Sequence, residues 1–553
     1  MIYPKIPLAQ SIIEICYAKG VHDIIISPGS RNAPLTIGFA NNPKFNCYSI
    51  ADERCAAFFA LGIAQQTQKP VAVVCTSGSA LLNYYPALAE AFYSQIPFIV
   101  ISADRPADKI DIGDGQTIRQ ENVYSNHSLY NANLTETASE ANDVFINEAI
   151  NVAIARKGPV HINVPFEEPL YETTNKLSVD FNVTGLNLVQ TLVNVDDIIA
   201  FSTLWNHSKK VLVLVGECAP NSIEERWLDQ LASIPSVVVM TEATSNLHHP
   251  TFITNIDTLI TPFSQAEFLK LQPRILITFG GMIVSKRVKA FLRKYKPRHH
   301  WHIDTWRAYD TFGILTKHFQ VTPNQFFKQF LPFVKHIESD YKMTFEKIHS
   351  KRKVKHSEYL SKVSFSDLKA FEIIVSSLPK EIQLQISNSS AIRYAQLFDI
   401  DQSIEIFCNR GTSGIDGSTS TAIGAAIGSN KPTVLITGDV GFIYDSNALW
   451  NNYIPKNFKI IVINNGGGGI FRILPGHQET ATFNTYFETS HCLTAEHLAK
   501  MYRFNYLIAS DSDSLKTALQ QLFENNEQPH ILEVFTPTRE NDQVLKQYFK
   551  ELV

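Results

Sequence analysis

The chain has 553 residues, 44% of them hydrophobic and 18% charged, enough for three or four ordinary globular domains. A formal net charge of −4 removes the electrostatic reason to expect a nucleic-acid partner. The seven cysteines (Cys16, Cys47, Cys55, Cys75, Cys218, Cys408 and Cys492) are odd in number and scattered, with no C-x-x-C pair, which disfavours both a disulfide framework and a zinc site. Reduced thiols and a cytoplasmic location are expected. The opening MIYPKIPLAQ lacks a basic segment followed by a long apolar one, and no apolar run reaches membrane-spanning length. Neither a signal peptide nor membrane insertion is expected.

Taken in order, the first third alternates helix and strand. Leu8 to Ala18 has helical apolar spacing and Gly20 follows as a stop. Strands are predicted at Ile24 to Ile26, Val71 to Cys75, Phe98 to Ser102 and Val160 to Val164, and a short one precedes the acidic turn at Asp52-Glu53. A polar stretch from about Leu170 to Asp196 reads as a linker. The middle third has strands near Val211 to Val215, Val237 to Met240, Arg274 to Thr278 and His300 to Ile303, with no G-x-G-x-x-G after the first. Phe333 to about Phe365 reads as a solvated, basic linker helix. The last third has strands at Gln383 to Ser387, Glu405 to Cys408, Val434 to Thr437, Lys459 to Ile463, Tyr506 to Ala509 and His530 to Phe535. This alternation predicts an α/β protein of three doubly wound parallel sheets, with domains at 1–180, 195–340 and 365–553. The outer two both place Gly, Ser, Asn and Asp at strand ends, which suits an ancient duplication.

The most informative stretch runs from Gly438 to Pro475. One apolar strand breaks at Gly438-Asp439, and the next breaks at Asn464-Asn465 and the glycines 466–469. In parallel strands both breaks fall at carboxyl ends, where open α/β sheets bind ligands. A carboxylate, an amide and a close backbone suit a hard cation such as Mg²⁺, which retains substrate oxygens in its shell and so implies a phosphate-bearing ligand.

Further candidates stand at other strand ends. Glu53, in Ala51-Asp52-Glu53-Arg54, is read either as a proton-exchanging carboxyl among apolar neighbours or as a helix-capping acid beside Asp52. Arg31, Arg105, Arg119, Arg393 and Arg410, with Lys286 and Arg287, form a set of cations suited to substrates with more than one carboxylate. The histidines His248, His249, His299, His300 and His302 lack ligand spacing and read as structural.

SPGSRNAPL, ADERCAAFFALG, TSGSALLNYYPALAEA, ADRP with GDGQTIRQ, NSSAIR, NRGTSGIDG, GDVGFIYD and INNGGGGIF occur in this order. Together they resemble the 2-succinyl-5-enolpyruvyl-6-hydroxy-3-cyclohexene-1-carboxylate (SEPHCHC) synthases, a thiamine diphosphate (ThDP) family of menaquinone biosynthesis. The likeness spans the chain and is weakest in the middle third. It implies pyrimidine-binding, central and diphosphate-binding domains, and decarboxylation of 2-oxoglutarate followed by addition of the succinic semialdehyde carbanion to isochorismate. An acetolactate-type carboligase or 2-oxo acid decarboxylase is the alternative, but its substrates carry one carboxylate and leave the cations unexplained.

By motif position, the resemblance makes Glu53 the carboxylate that meets the aminopyrimidine ring. Asp439, Asn465 and the Gly467 carbonyl become ligands of Mg²⁺ or Mn²⁺ beside Gly438, Ile415 becomes the wedge between the cofactor rings, and Ile470 and Phe471 wall the pocket. Arg393 and Arg410 would receive 2-oxoglutarate, while Ser30, Arg31, Arg105, Gln116, Lys286 and Arg287 would face isochorismate. It also implies sites shared between subunits, hence a homodimer or tetramer. Val440 and Gly441 depart from the family pattern where a serine is usual, and Gly466 stands where Asn or Asp is frequent.

Overall fold

The computed structural model describes residues 2–186, 191–473, 476, 478–524 and 527–553. Leu474 and Pro475, at the end of the glycine-containing stretch, and residues 187–190 of the expected linker lie outside these. In the N-terminal sheet the strands are β1 (Asp23–Ile26), β2 (Asn46–Ser49), β3 (Val71–Cys75), β4 (Phe98–Asp104), β5 (Asn131–Asn133) and β6 (Pro159–Pro165), all parallel, in the order β2-β1-β3-β4-β6-β5. Between them run helices α1 (Glu53–Thr67) and α2 (Tyr85–Ser94). The inner strands are continuous apolar runs because helices cover both faces of a parallel sheet. All five residues of Val71–Cys75 are buried.

The central sheet contains β7 (Val211–Val215), β8 (Val237–Thr241), β9 (Ile275–Phe279), β10 (His299–Ile303) and β11 (Leu315–Phe319), in the order β8-β7-β9-β10-β11. Helix α3 (Lys286–Lys294) follows β9, with the Ser285 hydroxyl accepting from Val288 N–H at its start. The basic segment forms α4 (Tyr341–Leu360), and here the expectation of a solvated linker is corrected. Tyr341, Phe345, Arg352, Tyr359 and Leu360 are buried, and the Arg352 guanidinium donates to the Leu552 carbonyl, so one side of the helix is packed. The strands β5 and β11 were not expected either. Asn-Ala-Asn has no apolar run, and Leu-Thr-Lys-His-Phe is half polar because each is an edge strand with one side open.

The C-terminal unit begins with α5 (Asp367–Ser377) and then builds β12 (Gln383–Ile386), β13 (Glu405–Phe407), α6 (Ser418–Ser429), β14 (Thr433–Gly438), α7 (Asp439–Tyr444), β15 (Lys459–Asn464), β16 (Asn505–Ala509), β17 (His530–Phe535) and α8 (Asn541–Glu551). Its order is β13-β12-β14-β15-β17-β16. By position along the chain this is second, first, third, fourth, sixth, fifth, the same order as the N-terminal sheet.

The two outer sheets meet through α1 and α6. A Cβ placed on Gly62 would lie 2.1 Å from the Thr421 carbonyl oxygen, and one on Gly424 only 1.9 Å from that of Phe59. The helices therefore pack backbone to backbone, which only glycine permits. Phe58, Phe59, Ala422, Ile423 and Leu435 close one core around this seam. Each buried phenylalanine there contributes about 1.5–3 kcal/mol. Among the described residues, no helix is long and apolar enough to cross a membrane.

Candidate active site

Strands β14 and β15 are parallel neighbours, with Gly438 paired to Ile463, so Asp439 and Asn465 emerge side by side at their carboxyl ends. Asp439 is the first residue of α7 and is 3% exposed. Its Oδ1 accepts from Val440 N–H at 2.6 Å, and its Oδ2 accepts from Gly466 N–H at 2.9 Å and Gly467 N–H at 3.0 Å. Burial raises the Asp439 carboxyl above its ordinary range, while the Val440 N–H, nearby His491 and the two glycine N–H groups pull it down.

The glycines are required here. Gly466 has φ +78°, and a Cβ on Gly467 would lie 2.7 Å from the Glu488 carbonyl oxygen. The Gly467 carbonyl accepts from Gly469 N–H at 2.9 Å and keeps a second lone pair. Behind the turn, buried Glu533 accepts from Asn464 Nδ2 at 2.6 Å, from Tyr506 OH at 2.6 Å and from Ala495 N–H at 2.9 Å. A buried Arg472–Glu488 ion pair, with Nη2 to Oε2 at 2.7 Å, holds the following segment.

Asp439, Asn465 and Gly467 line a cavity of about 470 Å³ that is also lined by Gly438, Ile415, Ile470, Phe471, Lys286, Arg393 and Arg410. Arg410 donates through Nη1 to Asn388 Oδ1 at 2.5 Å, and the Arg393 guanidinium donates to the Ser389 carbonyl. Burial, then the neighbouring Arg410 charge, lowers the Arg393 pKa. An adjoining cavity of about 280 Å³ adds Arg287 and Asp257 and shares Lys286, Ser390, Arg393, Tyr394 and Ile470. Two carboxylates support this edge: buried Glu242 accepts from Val284 and Ser285 N–H, both at 2.6 Å, and half-buried Asp257 accepts from the Ser285 hydroxyl. These bonds fix the start of α3, which carries Lys286 and Arg287.

The remaining sequence candidates lie elsewhere in the chain. Glu53 is half-buried at the start of α1, where its Oε2 accepts from Asn83 Nδ2 at 3.3 Å, and it does not line the cavity. Its neighbour Asp52 is the helix cap, accepting from Cys55 N–H at 3.2 Å. Ser30 is exposed, whereas Arg31 is 4% exposed and donates to the Phe166 carbonyl at 3.0 Å and Glu168 Oε1 at 3.1 Å. Arg105 donates to the Gly115 carbonyl at 3.1 Å, and the Gln116 backbone packs against Gly78. All five stand on the N-terminal sheet.

Sequence reasoning missed Asp367, which lines the cavity, and His491, whose Nε2 is 3.4 Å from Asp439 Oδ2. Asn388 lay within NSSAIR without being singled out. Histidines His300 and His302 share the Thr278 hydroxyl, each at 2.8 Å.

The donor set fits the expected cofactor. An acceptor-only carboxylate, an amide and a free carbonyl lone pair surround a glycine cradle at a sheet edge. Residues 6–127 match the thiamine pyrophosphate enzyme N-terminal TPP binding domain, 190–386 the middle domain of thiamine pyrophosphate enzymes, and 389–534 the C-terminal TPP binding domain. A curated SEPHCHC synthase of Flavobacterium johnsoniae is 70% identical over 556 residues, covering 100% of both chains. The chain belongs to the SEPHCHC synthase family. Members from Flavobacterium psychrophilum, at 68% identity over 100% of both chains, and Porphyromonas gingivalis, at 39% over 97% of this chain and 96% of its own, carry the same name. Membership makes this a ThDP-dependent enzyme of the transferase class built from three α/β domains.

Proposed function

We propose that the chain releases CO₂ from 2-oxoglutarate and joins the remaining four-carbon unit to isochorismate. The product is 2-succinyl-5-enolpyruvyl-6-hydroxy-3-cyclohexene-1-carboxylate, for which its relatives are named, made in the cytoplasm for menaquinone biosynthesis. The observation that carries this reading is the meeting of one oxygen-donor turn with Lys286, Arg393 and Arg410 in a single cavity. Both substrates carry two carboxylates, and a monocarboxylate would leave part of this set, in which Arg410 is buried, Arg393 half-buried and Lys286 exposed, without a partner.

Asp439, Asn465 and the Gly467 carbonyl would hold Mg²⁺ or Mn²⁺ and, through it, the diphosphate. Ile415 shapes the cofactor from one side, and Ile470 and Phe471 close the apolar wall. ThDP, when bound, supplies the electron sink on which a 2-oxo acid loses CO₂. The chain provides orientation: Arg393 and Arg410 pair with the carboxylates of 2-oxoglutarate, while Lys286 and Arg287 meet isochorismate from the adjoining cavity. Glu53 would hold and return a proton at a ring nitrogen of the aminopyrimidine.

Because Glu53, Ser30, Arg31, Arg105 and Gln116 stand apart from the cavity of their own chain, a second copy would bring them to it. A homodimer, or a tetramer of such dimers, is therefore the functional unit.

The test is purified protein with ThDP and Mg²⁺, following isochorismate absorbance with 2-oxoglutarate, with pyruvate and with neither. Loss of absorbance only with 2-oxoglutarate supports the reading. Equal turnover with pyruvate points to the acetolactate-type alternative, and cofactor binding without CO₂ release from any 2-oxo acid points to a non-catalytic binder.

A further inference from the structure

The side chain of Asn465 does not choose its own direction. Its Nδ2 donates at 3.0 Å to Oδ2 of Asp367, the first residue of α5, which is 3% exposed and lines the same cavity. The carboxylate is fixed in turn, because its Oδ1 accepts from the Thr536 hydroxyl at 2.5 Å and the Asp367 N–H donates to Asn541 Oδ1 at 2.8 Å. Three elements that are distant in sequence, the start of α5, the end of β17 and the start of α8, thus converge at Asp367.

We infer that Asp367 is a positioning residue for the divalent cation, setting which end of the Asn465 amide faces the metal. The two ends of an amide are nearly equal in size and opposite in hydrogen-bond sense. An ionised carboxylate only accepts, so only the nitrogen can face Asp367, and the oxygen is turned away from it. Mg²⁺ and Mn²⁺ take oxygen and reject an amide N–H₂ group. Flipping the amide would set Asn465 Oδ1 against Asp367 Oδ2, two acceptors at hydrogen-bond distance. The preceding residue uses the same device, since Asn464 Nδ2 is held by buried Glu533. Each asparagine of the pair is therefore oriented by its own carboxylate. Asp367 stays one step from the metal, and removing such a group typically costs about 10–100-fold in metal affinity.

This rests on the reading of Asn465 as a ligand, and one experiment separates the two. Mn²⁺ affinity is measured by electron paramagnetic resonance, with ThDP present, for the wild type, Asn465→Ala, Asp367→Asn and the exchanged pair Asp367→Asn with Asn465→Asp. The expected result is a loss of about 10–100-fold for Asp367→Asn. In the exchanged pair the new amide donates to the new carboxylate, which presents oxygen at either end, so affinity returns to within a few-fold of wild type. If Asn465→Ala binds Mn²⁺ normally, the ligand reading fails. If Asn465→Ala weakens binding while Asp367→Asn does not, the positioning role fails alone. Should Asp367→Asn not fold, the exchanged pair decides: wild-type affinity supports the inference and weak affinity overturns it.

Discussion

The carboxylate of Glu90, on α2 of the N-terminal sheet, accepts from the N–H groups of Gly411 and Thr412, both at 2.6 Å, and from the Thr412 hydroxyl at 2.8 Å. These donors directly follow Arg410, so one domain pins the loop through which another presents its arginine. Glu90→Gln turns an amide nitrogen toward one of these N–H groups and loses a charge-assisted hydrogen bond, at a cost of about 1–3 kcal/mol. A displacement near 1 Å at such a site can cost about 10²-fold in rate. Steady-state kinetics should show KM for 2-oxoglutarate rising more than kcat falls, while ThDP affinity is retained. An unchanged KM would mean that the loop holds Arg410 without this anchor.

Glu53→Gln should preserve cofactor binding and reduce turnover by about 10²–10⁴-fold, the usual worth of a positioned proton donor or acceptor. Near-wild-type turnover would remove Glu53 from that role.

If sites are shared between two copies, as proposed above, a further outcome becomes measurable. Glu53→Gln and Asp439→Ala are each expected to be inactive, yet random co-assembly of the two gives mixed dimers with one site wholly intact. Recovery of about a quarter of wild-type activity is expected for a dimer of two equivalent sites. No recovery in verified mixed dimers would place both residues in the same chain's site.

Buried histidines contribute to the acid limit, His161 and His300 among them. Burial lowers His161 to about 3, and burial with the neighbouring His302 lowers His300 to about 4. Unfolded, each takes a proton as pH falls below about 6.5, whereas folded it does not. Their contribution is therefore complete above that pH and is lost as pH falls toward the folded values, at about 1.4 kcal/mol per pH unit for each histidine. Urea unfolding of His161→Asn between pH 6.5 and 5 should show a slope shallower by one proton.

Gly424→Ala should destabilise by about 1–3 kcal/mol or more, because its new methyl group has no space against the Phe59 carbonyl. Denaturation midpoints for this variant and Gly62→Ala would measure it. A neutral effect would show that the helix seam can open freely.

The buried strands were legible in the sequence because parallel sheets require unbroken apolar runs; Val71–Cys75, Val211–Val215 and His530–Phe535 have the predicted limits. The edge strands Asn131–Asn133 and Leu315–Phe319 were not legible, since half or more of each is polar. The meeting of Asp439 with Asn465 followed from two strand-end motifs on neighbouring strands. Asp367 could not be read in this way. It sits in Ser-Phe-Ser-Asp-Leu, where the local pattern announces only a helix start, and its partners Asn465 and Thr536 are brought to it by the fold. Glu90 is hidden for the same reason, as one acid on an apolar helix whose partners lie more than three hundred residues away.

The repeated strand order has a consequence for stoichiometry. Where the C-terminal sheet follows its third and fourth strands with Asp439 and Asn465, the N-terminal sheet follows the corresponding strands with Thr76-Ser77-Gly78-Ser79 and Arg105-Pro106. Hydroxyls and a guanidinium follow those two strands, and the carboxylate that ends the fourth, Asp104, already accepts from Asn163 Nδ2 at 2.7 Å and from Arg105 N–H at 2.8 Å. With Asp439 and Asn465 as the proposed ligands, a scaffold present twice should therefore titrate with one equivalent of cation per polypeptide, which would leave its N-terminal version to serve the organic portion of the chemistry.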